Sequence, residues 1–160
     1  MRETEKKNEK GFSLVELIIV IAIMAILIGV LAPQYMKYVE KSKVTADKNI
    51  LESVYRACST ASADDDITDL PRFGDTGITV DVHGTHPGWS QRVLELLGAT
   101  DFQTDVEGKL KSKVATDPAR GNRQIQIEVN DGNQFTVYVG AKTNSAGNAT
   151  GIIIGADADE

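Results

Sequence analysis

One uninterrupted apolar block constrains this sequence more than any other feature. Of the 21 residues from Phe12 to Ala32, 18 are hydrophobic, whereas the whole chain is 41% hydrophobic and has a slightly negative mean hydropathy. As an α-helix the block would be about 31 Å long, close to the thickness of the hydrocarbon core of a bilayer. We therefore expect one membrane-spanning helix, and we exclude a polytopic membrane protein, a multidomain enzyme and an all-polar disordered chain.

The flanks of this block differ from those of a secretory signal peptide. A signal peptide has a shorter apolar region, roughly 7 to 15 residues, and its small residues follow that region. Here Gly11 precedes the block, and the helical pattern continues after it. Lysines and arginines are balanced on the two sides of the block, so their distribution does not decide the orientation in the membrane.

Glu16 is the ionisable residue of the block. A carboxylate near the centre of a bilayer costs roughly 2.5–3.5 kcal/mol on insertion scales, and less near the end of the span, where Glu16 lies. An ionisable residue in a span is a candidate functional group. The alternative is that Glu16 reaches the interface and favours the positive end of the helix dipole.

The residues around Glu16 resemble a known signal. Residues 11–16 read Gly-Phe-Ser-Leu-Val-Glu and lead into the apolar run and Pro33. This order is similar to the class III signal of type IV prepilins and of the related pseudopilins, over about the first 55 residues. The resemblance implies that a prepilin peptidase cuts between Gly11 and Phe12 and methylates the new amine of Phe12. It also implies the cytoplasmic membrane as the first location, a surface pilus as the second, and an assembly ATPase and a platform protein as partners.

The chemistry of these positions is compatible with such processing. Gly11 lacks a Cβ, so an extended segment there can enter a protease cleft without steric penalty. Cleavage would give Phe12 a positive amine at the start of an apolar helix, and Glu16 is the carboxylate nearest to it in the sequence. That pairing can occur along one helix or between adjacent subunits. The family resemblance favours pairing between subunits in a helical homopolymer.

The helix is predicted to continue beyond the membrane to about residue 62, where the acidic residues 64–66 end it. Pro33 and Gly29 predict a kink. Apolar or small residues recur every three or four positions and predict an amphipathic face, made of Tyr35, Tyr38, Val39, Ser42, Ala46, Ile50, Leu51, Val54, Tyr55, Cys58 and Ala61. The predicted organisation is a leader at 1–11, a membrane or filament-core half at 12–33, an amphipathic half at 34–63 and a globular head at 64–160.

The head is predicted to be α+β. A short strand is expected at 78–82 and a helix at 90–97, with Ser90 as N-cap and Gly98 just beyond the end. Alternating residues predict strands at 124–129, 135–139 and 150–155, and residues 131–133 predict a hairpin turn. We expect an antiparallel sheet of three to four strands whose apolar face is covered by the long helix. The pilin fold implied by the resemblance has the same arrangement.

No residue set predicts catalysis or a cofactor. The single Cys58 excludes an intrachain disulfide and is interpreted as a buried small hydrophobe. Within the family that the sequence resembles, the lack of a disulfide implies a Gram-positive or other disulfide-free pilin. His83 and His86 lack a third ligand, and Ser90 lacks a nucleophile elbow. The net charge of −6 argues against general nucleic-acid binding. Acidic residues in the tail are interpreted as solvated, with calcium binding as the alternative, and they are Asp157, Asp159 and Glu160.

The sequence therefore predicts a structural protein and not an enzyme. The first hypothesis is a type IV pilus subunit, which is processed, held in the membrane and polymerised into a surface filament for adhesion, motility or DNA uptake. The second is a pseudopilin of a type II secretion or competence system. The third is a single-span, membrane-anchored binding domain, which would keep residues 1–11.

Overall fold

A computed structural model describes residues 11–75, 78–120, 123–142 and 151–155. The chain divides into two compact units, Met1–Val39 and Glu40–Glu160. Helix α1, Leu14–Ser62, begins in the first unit and ends in the second. In its described residues the second unit adds three helices and a three-stranded sheet, so the expected α+β architecture is confirmed. Its further elements are α2 (Pro87–Leu97), α3 (Phe102–Asp105), a 3₁₀ turn (Glu107–Lys109), α4 (Lys113–Thr116), a second 3₁₀ turn (Pro118–Arg120), β1 (Ile125–Val129), β2 (Phe135–Val139) and β3 (Ile152–Gly155).

The N-terminal part of α1 exposes its apolar side chains. From Leu14 to Leu31 the large hydrophobic side chains are each at least half exposed. Within the described residues, α1 is the one helix long and apolar enough to cross a membrane. Charged side chains do not interrupt α1 between Glu16 and Lys37. An apolar surface of this kind is stable when it lies in lipid or when another molecule covers it.

The C-terminal part of α1 forms one wall of the core. Its buried apolar residues follow the three-and-four spacing of one helix face, and they are Leu51, Val54, Ala57, Cys58 and Ala61. Tyr35 and Tyr38 of the predicted face are exposed, and the face was also wrong at Ser42 and Ala46, which are exposed. Asp47 lies on the buried face in their place, four residues before Leu51, because the segment packed there presents backbone amides that need an acceptor.

The sheet is antiparallel, in the order β1-β2-β3. Ile127 pairs with Val137, and Val137 pairs with Ile154. The hairpin between β1 and β2 is confirmed: Asn133 adopts a φ of 57°, and its N–H donates to the carbonyl oxygen of Asn130 at 2.8 Å. The strand at 150–155 is also confirmed in its described part, so the sheet has three strands in the described residues.

Strand β2 is buried on both faces, which the sequence pattern did not predict. Thr136 and Tyr138 alternate with the apolar residues of β2, yet they are only 0% and 7% exposed. The Tyr138 hydroxyl lies 2.8 Å from the Gln126 Oε1 and 2.7 Å from the Glu128 carboxylate. Burial, together with that contact to Glu128, raises the pKa of Tyr138 to about 12. On this face, residues of both neighbouring strands pair beside the two side chains: Glu128 and Gly155 flank Thr136, and Gln126 and Ile153 flank Tyr138.

Two predictions about the segment before the sheet were wrong in detail. The strand expected at 78–82 is a single antiparallel bridge from Ile78 to Ile127. Helix α2 begins at Pro87. Proline suits the first turn of a helix, because N–H groups in that turn have no hydrogen-bond partner within the helix and proline has no N–H. Ser90 is therefore inside α2 and buried, and is not its N-cap. The helix does end at Gly98, which has a φ of 62°.

Trp89 connects three elements of the core. Its ring is fully buried and stacks on Phe135 of β2, with centroids 5.9 Å apart and planes 12° from parallel. Its indole N–H donates to the hydroxyl of Ser62, the last residue of α1, at 2.9 Å. Cys58 is buried in the same core, as predicted, and burial raises the pKa of its thiol. The core thus joins α1, α2 and β2 without a disulfide.

Candidate functional site

The predicted cleavage junction lies just before α1. Gly11 and Phe12 precede the helix, and the Phe12 side chain is 92% exposed. A Cβ placed on Gly11 would meet no atom of the described chain within 4 Å. Gly11 and Phe12 are therefore both accessible to solvent, as the residues at a peptidase site must be.

Ser13 and Glu16 form a capping box at the start of α1. The Ser13 hydroxyl accepts a hydrogen bond from the Val15 N–H at 3.3 Å, and the Glu16 carboxylate accepts one from the Ser13 N–H at 2.8 Å. These contacts satisfy two amides that have no partner inside the helix. A cap of this kind is worth about 1 kcal/mol. Glu16 therefore has a local role in the single chain.

The role of Ser13 was not predicted. Its signal was present in the sequence, since a serine followed three residues later by glutamate before an apolar run is typical of a capping box. The proposed pairing of Glu16 with the amine of Phe12 stays a prediction. The geometry places the carboxylate at the amide next to Phe12, one peptide unit from the atom that cleavage would free.

Gly29 and Pro33 lie inside α1, which is assigned as one helix through both positions. A Cβ on Gly29 would meet no atom of the described chain within 4 Å. Packing within the chain therefore does not require glycine there. The kink predicted at these residues stays a prediction.

Two carboxylates of α1 bind the backbone of a distant segment, and neither was predicted. The Asp47 carboxylate is fully buried and accepts hydrogen bonds from the N–H groups of Lys111 at 2.9 Å and Ser112 at 2.8 Å. The Glu40 carboxylate accepts one from the N–H of Lys113. These contacts tie the start of α4 to α1. The sequence signal was the spacing of Asp47 from the buried Leu51, which places a charge on the apolar face.

The histidines and Ser90 have structural contacts. The ring of His86 lies 2.9 Å from the Asp69 carbonyl oxygen through Nδ1, and 3.4 Å from the Asp75 carboxylate through Nε2. The Ser90 hydroxyl accepts from the Asp81 N–H at 3.2 Å. Within the described ranges no group of three or more potential ligands could hold a metal ion. The acidic tail at 157–160 lies outside the described residues.

A comparison with known protein families identifies the N-terminal segment. The family described as "Prokaryotic N-terminal methylation motif" matches residues 6–32, which include the junction, the capping box and the whole apolar block. The chain carries the N-terminal signature of type IV prepilins. The prepilin signature is thus located on the exposed junction and the apolar half of α1.

Individual relatives agree with the prepilin signature. The chain is 38% identical over 64 residues to the prepilin peptidase-dependent protein A of Clostridium perfringens, covering 39% of this chain and 46% of that protein. It is 38% identical over 55 residues to a fimbrial protein of Pseudomonas aeruginosa, 34% of this chain and 36% of that one. It is 48% identical over 40 residues to the type IV major fimbrial protein of Dichelobacter nodosus, 25% and 26% of the two chains.

These similarities cover less than half the length of each of these relatives. No solved structure is significantly similar to the chain. The similarity to prepilins therefore concerns the N-terminal segment. The head is described by its own geometry: an antiparallel sheet that packs with the C-terminal part of α1 around one core, an arrangement that matches the pilin fold.

Proposed function

We propose that this protein is a structural, non-enzymatic subunit of a type IV pilus, processed at its N-terminus, held in the cytoplasmic membrane and then polymerised into a surface filament. The observation that carries the proposal is the prepilin methylation motif at residues 6–32. It coincides with an exposed junction and an unburied apolar helix. The relatives named as fimbrial proteins support the same function.

In the proposed processing step, prepilin peptidase hydrolyses the peptide bond between Gly11 and Phe12. The oxygen of water is added to the carbonyl carbon of Gly11, which becomes a carboxylate, and the freed nitrogen of Phe12 becomes an amine. That amine then takes the methyl group of a sulfonium methyl donor, which leaves as a neutral thioether, and one proton is released from the nitrogen. Ser13 and Glu16 follow the cut, so the capping box is retained in the mature chain. The new amine is positive and lies at the apolar end of α1, where it needs a negative partner.

In the proposed assembly step, Glu16 supplies that partner to a neighbouring subunit. Transfer of an apolar helix from lipid to a filament core gains little hydrophobic free energy, so packing and charge pairing must favour the filament. The work of extraction is assigned to an assembly ATPase and a platform protein. Adhesion, motility and DNA uptake are the proposed uses of the filament.

Two variants of Glu16 separate charge pairing from capping. Glu16→Gln keeps an oxygen that can accept from the Ser13 N–H but removes the charge, whereas Glu16→Ala removes both. We expect both variants to be cleaved and inserted, and both to lose most surface filaments. Glu95→Gln, an exposed glutamate of α2, is the matched control and should assemble normally.

The measurement is mass spectrometry and electron microscopy of sheared filaments. A peptide that begins with N-methylated Phe12 supports the processing step. Normal filaments from Glu16→Gln would refute charge pairing, and an intact residue 1–11 segment in a host with prepilin peptidase would refute the function. Short fibres confined to the cell envelope would identify a pseudopilin instead.

A further inference from the structure

The four tyrosines of the chain have two kinds of environment. Tyr138 is buried in the sheet, and Tyr55 is half-buried on the core side of α1. Tyr35 and Tyr38 are 70% and 79% exposed. They are the aromatic residues at the C-terminal end of the apolar block, so the chain presents two amphipathic rings where the apolar surface of α1 ends.

The position of these rings matches the edge of a membrane. The membrane half of α1 was predicted at 12–33, but the uncharged part of the helix lies slightly later. The 20 residues from Leu17 to Met36 carry no charge and lie between Glu16 and Lys37. As a helix they span about 30 Å, the thickness of a typical hydrocarbon core. Tyr35 then lies just inside the outer boundary and Tyr38 just outside it. Because they are three residues apart, the two rings lie on adjacent parts of the helix surface.

Tyrosine is suited to this boundary. Its ring prefers the apolar side and its hydroxyl prefers water or headgroups, which is why tyrosine and tryptophan form belts at membrane interfaces. The ammonium of Lys37, between the two rings in sequence, adds attraction to anionic headgroups. A helix anchored at this end also keeps Glu16 near the opposite boundary, where a carboxylate costs less than at the centre.

We propose that Tyr35 and Tyr38 anchor the subunit at a fixed depth in the membrane before assembly, with phospholipid headgroups as their partner. This inference rests on the proposed storage of the subunit in the membrane. It assigns to two residues the function of setting the outer boundary of the span. A second copy of the chain is the competing partner for the same rings, and the experiment distinguishes the two.

The test uses the full-length chain in vesicles of three parts phosphatidylcholine and one part phosphatidylglycerol. Single cysteines are placed at Leu31 and Ser42, and their reaction rates with a water-soluble maleimide are measured. Cys58 does not interfere, because it is fully buried and its thiol pKa is raised. The chain with Cys58 as its single cysteine gives the background.

In the unchanged chain, Ser42→Cys should react and Leu31→Cys should not. In the double variant Tyr35→Ala/Tyr38→Ala the helix should no longer be held at one depth, and its depth should vary by roughly one helical turn. Leu31→Cys should then reach water more often, and its reaction rate should rise about threefold or more. Tyr35→Trp/Tyr38→Trp should restore the sharp boundary. Phe73→Ala changes an exposed aromatic residue of the head and should leave the boundary unchanged.

An unchanged boundary in the double alanine variant would overturn the proposal. An unchanged boundary together with fewer filaments would mean that the rings contact a second copy of the chain and not the headgroups. That result would also overturn the proposal. Each variant is also expressed in cells that contain prepilin peptidase, and the mass of the peptides that contain Phe12 is measured there. Normal processing with an unchanged boundary refutes only the anchor, whereas an uncut chain refutes the proposed function.

Discussion

The two parts of α1 satisfy their carboxylates in opposite ways. Glu16, in the first unit, bonds to the amide of Ser13 three residues away. Asp47, in the second, bonds to amides 64 and 65 residues further along the chain. The hydrogen bond of Glu16 needs only the start of the helix itself, whereas the hydrogen bonds of Asp47 form only when the head is folded. The same helix therefore has a start that is stable locally and an end that depends on tertiary structure.

Removing the long-range acceptor should have the largest effect on stability. Asp47→Ala leaves two N–H groups unpaired, at least one of them buried, so we expect a loss of roughly 2–4 kcal/mol in the free energy of unfolding of the head. Asp47→Asn keeps one acceptor and should lose less. The measurement is denaturant unfolding of the full chain in detergent. Asp65→Ala, an exposed acidic residue, is the control, and equal losses in the two alanine variants would contradict the assigned role.

Removing the local cap should have a smaller effect, confined to the first unit. Ser13→Ala removes the hydroxyl that accepts from Val15, at an expected cost of about 1 kcal/mol in the stability of the helix start. Hydrogen exchange of the amides at 13–17 should accelerate, and the unfolding midpoint of the head should not move. Ser53→Ala, which removes a hydroxyl bonded to a carbonyl within α1, is the control. A shift in the head midpoint would remove the contrast between the two parts.

A third carboxylate should show the smallest effect and a distinct pH dependence. Burial, and then the charge of Asp101, raises the pKa of Glu107, although its carboxylate accepts from the Ile125 N–H at 2.7 Å. A raised pKa means that the contribution of this group is fully present below its unfolded pKa and is lost as the pH rises through the folded value.

Glu107→Gln keeps the acceptor and removes this titration. Its stability relative to the unchanged chain should therefore increase between pH 4 and pH 7, as measured by unfolding midpoints at both values. Glu95→Gln is the exposed control and should show no such increase. A relative stability that falls over this range would contradict the direction of the shift.

Local patterns predicted what local physics decides. The apolar block, the hairpin at 131–133 and the end of α2 at Gly98 each depend on neighbouring residues, and the structure agrees with the sequence there. Asp47 depends on a segment more than 60 residues away, so helix periodicity alone did not identify its partner. Thr136 is buried and is flanked by Glu128 of β1 and Gly155 of β3. The alternation of one strand does not predict which residues of other strands will flank it.

The site followed the same rule. Gly11, Phe12 and Glu16 were predicted from a short contiguous motif, and the matching family covers that segment. The role of Ser13 could also have been predicted locally, because a serine three residues before a glutamate is typical of a capping box. Glu40 was not predictable from α1, since its partner is a backbone amide with no side-chain signature.

The order of the elements along the chain also sets the order of events during synthesis. The sheet is completed by β3, at residues 152–155, about 120 residues after the apolar half of α1 has been made. At roughly 5–20 residues per second that interval lasts on the order of 6–25 s. The apolar segment thus has time to leave water before the sheet of the head can close. If the apolar segment enters the membrane early, it is not in water while the head folds. Its side chains then do not take the places in the core that Trp89 and the residues of β2 later fill.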